Sequence, residues 1–260
     1  MSNKNAPLII LQRSILLLFI SFLALYLLPG IYSHSPWKQD ENYSFGIIQT
    51  MYETGKWLVP TNAGEPFMEK PPLYYWVATI TSHWLSSLMP LYDAARSASL
   101  IFSVINFSFF ILLARRFFQA TDFTDTRIWV AFALYACAPG IIRHSHDMFT
   151  DVALMAGTTI GLYGLLGLIQ QQKMRMSALW LSLGTIVTML SKGVFIPGVL
   201  WICLFLSPIF LAQCRTKQFW LYSLTAGLIA LIAILPWPIQ LYLQHPDLFL
   251  VWFWENNIGR

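Results

Sequence analysis

The chain has 260 residues, of which 57% are hydrophobic, 16% aromatic and only 11% charged. A soluble domain carries roughly 25% charged residues, so the composition excludes an ordinary soluble protein and predicts an all-α polytopic membrane protein. The formal net charge of +4 does not indicate nucleic-acid binding, because the cations are scattered along the chain.

Seven apolar segments are long enough, or nearly so, to cross a membrane. They lie at about 14–32, 92–114, 127–142, 149–170, 177–191, 194–213 and 219–243. The first is predicted to be an uncleaved membrane helix, because it is long and no signal-cleavage pattern follows it. We expect one membrane domain over residues 1–260, with a first external loop at 33–91 that carries juxtamembrane helices.

Segment 73–89 is amphipathic, with Leu73, Trp76 and Ile80 on one helical face and Thr79 and Ser82 on the other. It is predicted to lie in the membrane interface without spanning. The distribution of basic residues favours this arrangement, since it places nine of them on the cytoplasmic side. These residues are Lys4, Arg13, Arg115, Arg116, Arg127, Lys173, Arg175, Arg215 and Lys217.

The stretch 40–76 is the longest polar interruption of the chain and is where chemistry is expected. It opens with Asp40 and Glu41, shortly after the first apolar segment. An acid at the start of an organised loop suits a general base or a metal ligand. The alternative is that the two acids stabilise the positive end of a short helix, predicted over 42–54.

The same loop closes with Glu69, Lys70, Pro71 and Pro72. Pro71 biases Lys70 towards an extended backbone, so the lysine is presented at membrane level. It could bind a lipid phosphate or extend its ammonium group to lipid headgroups.

Two further polar clusters fall on the same external side. One comprises Arg143, His146, Asp147 and Asp151, in which His146 and Asp151 could bind a metal, or Arg143 and Asp147 could form an interfacial ion pair. The other is Lys192, in a tight turn between two apolar segments, for which Asp151 or a ligand phosphate is the expected anionic partner.

These motifs resemble the bacterial lipid-linked glycosyltransferases of the GT-C fold. The closest subgroup contains the aminoarabinose transferases and the protein O-mannosyltransferase-like enzymes. The resemblance is carried by the run ETGKWLVPTNAGEPFMEKPPLYYW, the TDVAL start of a later helix and an LSKG turn. It covers the N-terminal half of a typical member, so the C-terminal part of the family fold is expected to be missing.

The resemblance implies roles for individual residues. The family's first-loop acid falls on Asp40 with Glu41 beside it, and its second-loop acid falls on Asp151, so these three form the expected catalytic acids. The expected phosphate-binding residues are Lys70, Lys192, Arg143 and His146. No cofactor is implied with certainty; a divalent metal stays an alternative, with Glu69 as its candidate ligand.

The implied function is transfer of a sugar from a polyprenyl-phosphate carrier to a lipid, glycan or protein acceptor. The expected partners are that carrier and the membrane lipids, with the acceptor unidentified. The site would face the periplasm from a bacterial inner membrane and act in the cell envelope, on lipopolysaccharide in the closest subgroup. The alternatives are a transporter or flippase, or an inactive truncated membrane protein.

Overall fold

The computed structural model describes the backbone of residues 6–259 and the side chains of residues 11–259, so Lys4 of the predicted topology lies outside it. The helices, in chain order, are α1 (Ala6–Ile31), α2 (Lys38–Thr54), α3 (Leu73–Leu85), α4 (Leu91–Phe117), α5 (Thr126–Ala136), α6 (Pro139–His144), α7 (Thr150–Ile169), α8 (Met174–Lys192), α9 (Phe195–Phe210), α10 (Lys217–Ile234), α11 (Pro236–Gln244) and α12 (Pro246–Leu250). A short antiparallel hairpin of β1 (Thr61–Asn62) and β2 (Glu65–Pro66) lies between α2 and α3, and Val251–Ile258 forms a π-helical segment.

The long apolar helices agree with the predicted spans. Within the described residues, five stretches are long and apolar enough to cross a membrane, namely Leu11–Ile31, α4, α7, α8 and Lys217–Gln244, and α5 and α9 are shorter apolar helices. Together they account for the seven predicted segments. The chain is therefore an integral membrane helical bundle.

The segment predicted as one span at 127–142 is instead two helices, so that prediction is wrong in detail. Ala138 has an extended backbone and Pro139 begins α6. Proline has no N–H group and disfavours helical backbone in the residue before it, which ends α5. The 11 residues of α5 cover only about 16 Å, short of the roughly 30 Å hydrocarbon core, so α6 must extend the crossing.

The first loop, between α1 and α4, contains α2, the hairpin and α3. Helix α2 begins at Lys38, four residues before the predicted start, so Asp40 and Glu41 lie in its first turn. The short hairpin was not predicted, because each of its strands is only two residues long. Gly55, in the left-handed conformation, ends α2 as expected.

Helix α3 packs against the first turns of α4. The Tyr74 and Ser99 hydroxyls lie 2.7 Å apart, and only residues 86–90 connect the two helices. The polar face of α3 packs inward, since Thr79 and Ser82 are fully buried, whereas Trp84 is 74% exposed. Its orientation relative to the membrane plane stays a prediction.

Helices α7 and α8 pack at backbone distance. A Cβ atom placed on Gly184 would lie 2.3 Å from Cα of Gly161, so neither position has room for a side chain. Small residues allow this close approach between membrane helices. The two helices are antiparallel neighbours, and their packing brings Asp151, at the start of α7, to Lys192, at the end of α8.

Hydrogen bonds between distant segments show which connections share an end of the bundle. At one end, the Met148 amide donates to Glu41 (2.8 Å), the Trp237 indole to the Leu58 carbonyl (2.9 Å) and the Val194 amide to Asn257 (3.2 Å). The first loop, the α6–α7 and α8–α9 connections and the last described residues therefore meet at one end, as predicted. We call this the loop end.

This grouping predicts which positions share a side of the membrane. In a variant without native cysteines, Lys56→Cys and Asp247→Cys should react with a membrane-impermeant maleimide from one side. Thr121→Cys and Gln172→Cys should react only from the other, because an odd number of crossings separates them from the loop end. Labelling of sealed right-side-out and inverted vesicles measures this, and reaction of position 121 from the same side as position 56 would contradict the topology.

Candidate active site

A buried charge network joins the first loop to α4. The Arg96 guanidinium forms two bonds with the Glu41 carboxylate, at 3.3 Å from Nε and 3.2 Å from Nη2, and a third with Asp93 at 3.3 Å. Arg96 is fully buried and Glu41 is 3% exposed. A charge in this position is tolerated only with opposite charges and hydrogen bonds around it, and the network supplies both.

Glu41 also accepts hydrogen bonds from the backbone amides of Trp37 (3.0 Å) and Met148 (2.8 Å). Burial alone would raise the pKa of Glu41, but the bonds from Arg96 and the two amides outweigh it and hold the pKa below its ordinary value. Glu41 thus ties α2 to α4 and to the α6–α7 connection. This geometry matches a structural role and gives no support to its expected place among the catalytic acids.

Arg96 was not among the predicted site residues, although its position in the sequence indicates a buried ion pair. An arginine three residues after an aspartate, inside the apolar segment 92–114, is unusual and implies a buried partner. The spacing does not say that the partner is Glu41, 55 residues earlier.

Asp40 faces away from this network, into a pocket of about 260 Å³ at the loop end. Adjacent residues of a helix point about 100° apart, so burial of Glu41 turns Asp40 outward. Among the described residues its exposed carboxylate forms no hydrogen bond or ion pair. The pocket is lined by Gln39, Asp40, Tyr43, Ser44, Phe67, Glu69, Lys70, Tyr75 and Phe149.

Glu69 and Lys70, at the end of the same polar stretch, line the same pocket. The Lys70 ammonium lies 3.9 Å from the Glu69 carboxylate, and the Lys70 side chain is 14% exposed. Tyr75, one turn into α3, is 1% exposed and also lines the pocket. Burial raises the pKa of its phenol, and a hydrogen bond with Ser44, which also lines the pocket, only partly offsets this, so Tyr75 stays protonated. Tyr75 is a site residue that the sequence analysis missed, because it reads as one more aromatic of the LYYW run.

Asp151 and Lys192 lie next to this pocket and form an ion pair. The Lys192 ammonium also lies 5.7 Å from the centre of the Phe149 ring, which lines the pocket. Asp151, one of the two expected partners of Lys192, is therefore its partner in the structure. The second Asp151 oxygen is buried and has no hydrogen-bond partner among the described residues.

Arg143 and His146 do not line the pocket. Arg143 pairs with Asp147 at 3.4 Å and its side chain is 53% exposed, which is the ion-pair alternative of the sequence analysis. The His146 ring nitrogens lie 2.7 and 2.8 Å from the carbonyls of Ile142 and Tyr26, and the ring packs on Tyr26. The expectation that His146 binds phosphate therefore has no geometric support; it joins α6 to α1.

No group of three or more metal-ligating side chains occurs in the described part of the chain. Glu69, the candidate metal ligand, has Lys70 as its neighbour instead. The site consists of one exposed acid, a cation that lines the same pocket, a protonated phenol and an adjacent ion pair.

Sugar transferases are among the relatives of this chain. No family model matches the chain. The chain is 30% identical over 258 residues to undecaprenyl phosphate-alpha-4-amino-4-deoxy-L-arabinose arabinosyl transferase 1 of Pseudomonas fluorescens Pf-5, covering 94% of this chain and 43% of the relative. It is 29% identical over 248 residues to the corresponding transferase of Pseudomonas paraeruginosa PA7, with the same coverage.

Two solved structures share the fold of this chain. The crystal structure of ArnT from Cupriavidus metallidurans bound to undecaprenyl phosphate superimposes with a TM-score of 0.76 at 20% identity, covering 95% of this chain and 45% of that one. The apo structure gives a TM-score of 0.75. The chain has the GT-C fold. It corresponds to the N-terminal part of the relatives and spans less than half of their length.

The charge network of this GT-C bundle predicts a stability effect. Glu41→Gln should lower the free energy of unfolding by about 3–5 kcal/mol, because Arg96 is then left buried without its main counter-charge. Glu53→Gln, an exposed acid of the same helix, should change it by less than about 0.5 kcal/mol. Denaturant unfolding of the purified protein measures both.

The same variant also tests the pH dependence. Because the folded pKa of Glu41 is lowered, its contribution is present above the ordinary glutamate pKa and is lost as the pH falls through the folded value. Below about pH 4.5, the native protein should lose stability more steeply than Glu41→Gln. Parallel curves for the two proteins would contradict the assigned network.

Proposed function

We propose that this chain forms the donor-binding and catalytic part of a glycosyltransferase. It would move a sugar from a polyprenyl-phosphate carrier to an acceptor at the non-cytoplasmic face, which in bacteria is the periplasmic face of the inner membrane. The observation that carries the proposal is that Asp40 and Lys70, from the two ends of the first polar stretch, line one pocket at the loop end. The names of the relatives, which specify an undecaprenyl-phosphate-linked sugar, support the donor class.

The reaction needs two complementary charges at a membrane surface. The acceptor oxygen attacks the anomeric carbon, and the bond between that carbon and the phosphate oxygen breaks with its electron pair leaving on the phosphate. Asp40 is the base that takes the proton from an acceptor hydroxyl, because it is exposed and not committed to another charged side chain. Lys70 stabilises the negative charge that develops on the leaving phosphate.

Lys192 is the second cation of the proposed phosphate site. Asp151 holds its ammonium beside Phe149, which lines the pocket that holds Lys70. The phosphate would share Lys192 with Asp151, and the unpartnered Asp151 oxygen can accept a hydrogen bond from a sugar hydroxyl. Asp151 thus acts as a donor-site residue next to the pocket.

The aromatic walls suit a sugar. Tyr43 and Phe67 have ring centres 5.7 Å apart, and both line the pocket with Phe149. Aromatic faces pack against the apolar faces of sugar rings, while the buried Tyr75 phenol donates a hydrogen bond to a substrate oxygen.

A transporter would place its ionisable groups near the middle of the membrane. Here Asp93 and Arg96 lie in the first two turns of α4, at the same end as the pocket.

The role of Asp40 can be tested by substitution. Asp40→Asn should lower sugar transfer at least ~100-fold, in line with the loss of a general base, and leave binding of undecaprenyl phosphate nearly unchanged. Glu53→Gln on the same helix is the matched control and should transfer normally. Single-turnover transfer from an undecaprenyl-phosphate sugar measures the effect, and near-normal transfer by Asp40→Asn would exclude it as the base.

The phosphate site can be tested by binding alone. Lys70→Met and Lys192→Met should each weaken binding of undecaprenyl phosphate by about 1.5–3 kcal/mol, the size of a charge-assisted hydrogen bond. Lys56→Met, an exposed lysine of the same loop outside the pocket, is the control. Unchanged binding in both single variants would contradict the assignment.

A further inference from the structure

A second polar pocket lies at the end of the bundle opposite the loop end. It occupies about 480 Å³ between the end of α4, the end of α7 and the start of α8. Its polar lining consists of Arg115, Arg116, Gln119, Tyr163, Gln172 and Lys173, and no carboxylate lines it. The proposed glycosyl transfer takes place at the other end and uses none of these residues.

Arg116 is held rigidly in this pocket. Its guanidinium lies 3.7 Å from the centre of the Tyr163 ring, and Nη1 donates a hydrogen bond to the Tyr163 carbonyl at 2.5 Å. Gly167 makes room for it, because a Cβ atom there would lie 2.4 Å from Nη1. Arginine has five N–H donors, and this bond uses one, so Arg116 retains donors for a ligand.

Arg115 and Lys173 add two further positive charges. Arg115 donates to the carbonyls of Ala120 (3.3 Å) and Thr121 (2.5 Å) and forms no salt bridge with a described residue. The acid nearest in sequence, Asp122, accepts its hydrogen bonds from Thr124, and these bonds and, to a smaller extent, the Arg115 charge lower its pKa. Asp122 does not line the pocket. The Lys173 side chain has no hydrogen bond or ion pair among the residues that the structure describes.

The start of α8 adds positive potential to the pocket. Lys173 is the N-cap residue of this 19-residue helix, and no side chain caps its first amides. A helix N-terminus carries a partial positive charge and favours an anion, so a lysine there is unfavourable unless an anion is also present. The negative ends of the α4 and α7 dipoles together offset only about one charge. The positive charge of three side-chain cations and a helix N-terminus is therefore only partly offset by the residues that the structure describes.

The pocket continues into an apolar surface of the bundle. The Tyr163 ring is part of an aromatic cluster with Phe109 and Trp180, at centre distances of 5.7 and 6.5 Å. Phe109 and Trp180 are themselves 4.9 Å apart. They lie in the middle of α4 and near the start of α8, so the rings follow the pocket towards the membrane interior. A ligand with a phosphate and an attached hydrocarbon chain matches both parts.

We propose that this pocket binds the headgroup of an anionic membrane phospholipid. The phosphate would lie between Arg115, Arg116 and Lys173, with an acyl chain along the aromatic cluster. Basic pockets between membrane helices bind the headgroups of anionic lipids, and arginine pairs with phosphate in a bidentate geometry. Bound there, the lipid would join α4, α7 and α8 at the end where no ion pair connects them.

Native mass spectrometry of the protein with phosphatidylglycerol or phosphatidylcholine tests the proposal. Arg115→Gln/Lys173→Gln should retain phosphatidylglycerol at least ~10-fold less well than the native protein, since two charge-assisted contacts are lost. Arg175→Gln/Lys217→Gln is the charge-matched control, because both residues are exposed, lie at the same end and do not line the pocket. It should retain phosphatidylglycerol normally, and phosphatidylcholine should bind all three proteins weakly and equally.

Two further measurements distinguish lipid binding from loss of folding and from binding of a free anion. Circular dichroism of each variant in phosphatidylcholine should show unchanged helix content, since Arg116, which packs against the α7 backbone, is left intact. Inorganic phosphate should not displace phosphatidylglycerol; if it does so at similar concentrations, the ligand is a free anion and the lipid proposal is overturned. Equal loss of phosphatidylglycerol from both double variants would likewise overturn it, by showing attraction to net charge alone.

Discussion

The buried pair of Arg96 and Glu41 is the interaction on which the rest of the loop end depends. Arg96 also bonds to Asp93 and to the His34 carbonyl (2.5 Å), and Asp93 accepts from the Ser33 amide at 3.2 Å. One guanidinium thus connects the end of α1, the start of α2 and the first turns of α4. Because an unpaired buried charge costs several kcal/mol, these segments are stable only when all of them are in place.

This constraint explains how a polar loop can hold a defined pocket at a membrane surface. With Glu41 turned inward, its neighbour Asp40 must point out of α2, towards Lys70 and Tyr75. The Met148 amide on Glu41 fixes the α6–α7 connection next to it, which places Phe149 in the pocket wall. The proposed catalytic acid is thus positioned by the residue beside it in the chain.

The close contact of α7 and α8 complements this network. Glycines at their interface let the two backbones touch, and the helices then behave as one rigid pair. At one end the pair presents Asp151 and Lys192, and at the other it presents Tyr163 and Lys173. A shift of α8 along α7 by one turn, about 5.4 Å, would disrupt both the proposed donor site and the basic pocket, so the glycine contact determines the spacing of two distant sites.

The sequence by itself determined those features that depend on neighbouring residues. Composition and apolar length predicted a membrane bundle and its seven apolar segments, and the Arg143–Asp147 pair was one of the two alternatives for its cluster. The tight turn at Lys192 predicted an anionic partner, with Asp151 and a ligand phosphate as the candidates. Family motifs singled out Asp40 and Lys70, which the structure brings to one pocket.

Only the tertiary structure decided the long-range choices. It selected Glu41 as the partner of Arg96, buried Tyr75 in the pocket wall and turned His146 towards the Tyr26 carbonyl. Each of these depends on which helices are neighbours and how they are rotated, and residue spacing carries this information only within one element. The basic pocket arises in the same way, since its cations come from the last turn of α4 and from the α7–α8 connection, which are far apart in the sequence and meet through the packing of α4, α7 and α8.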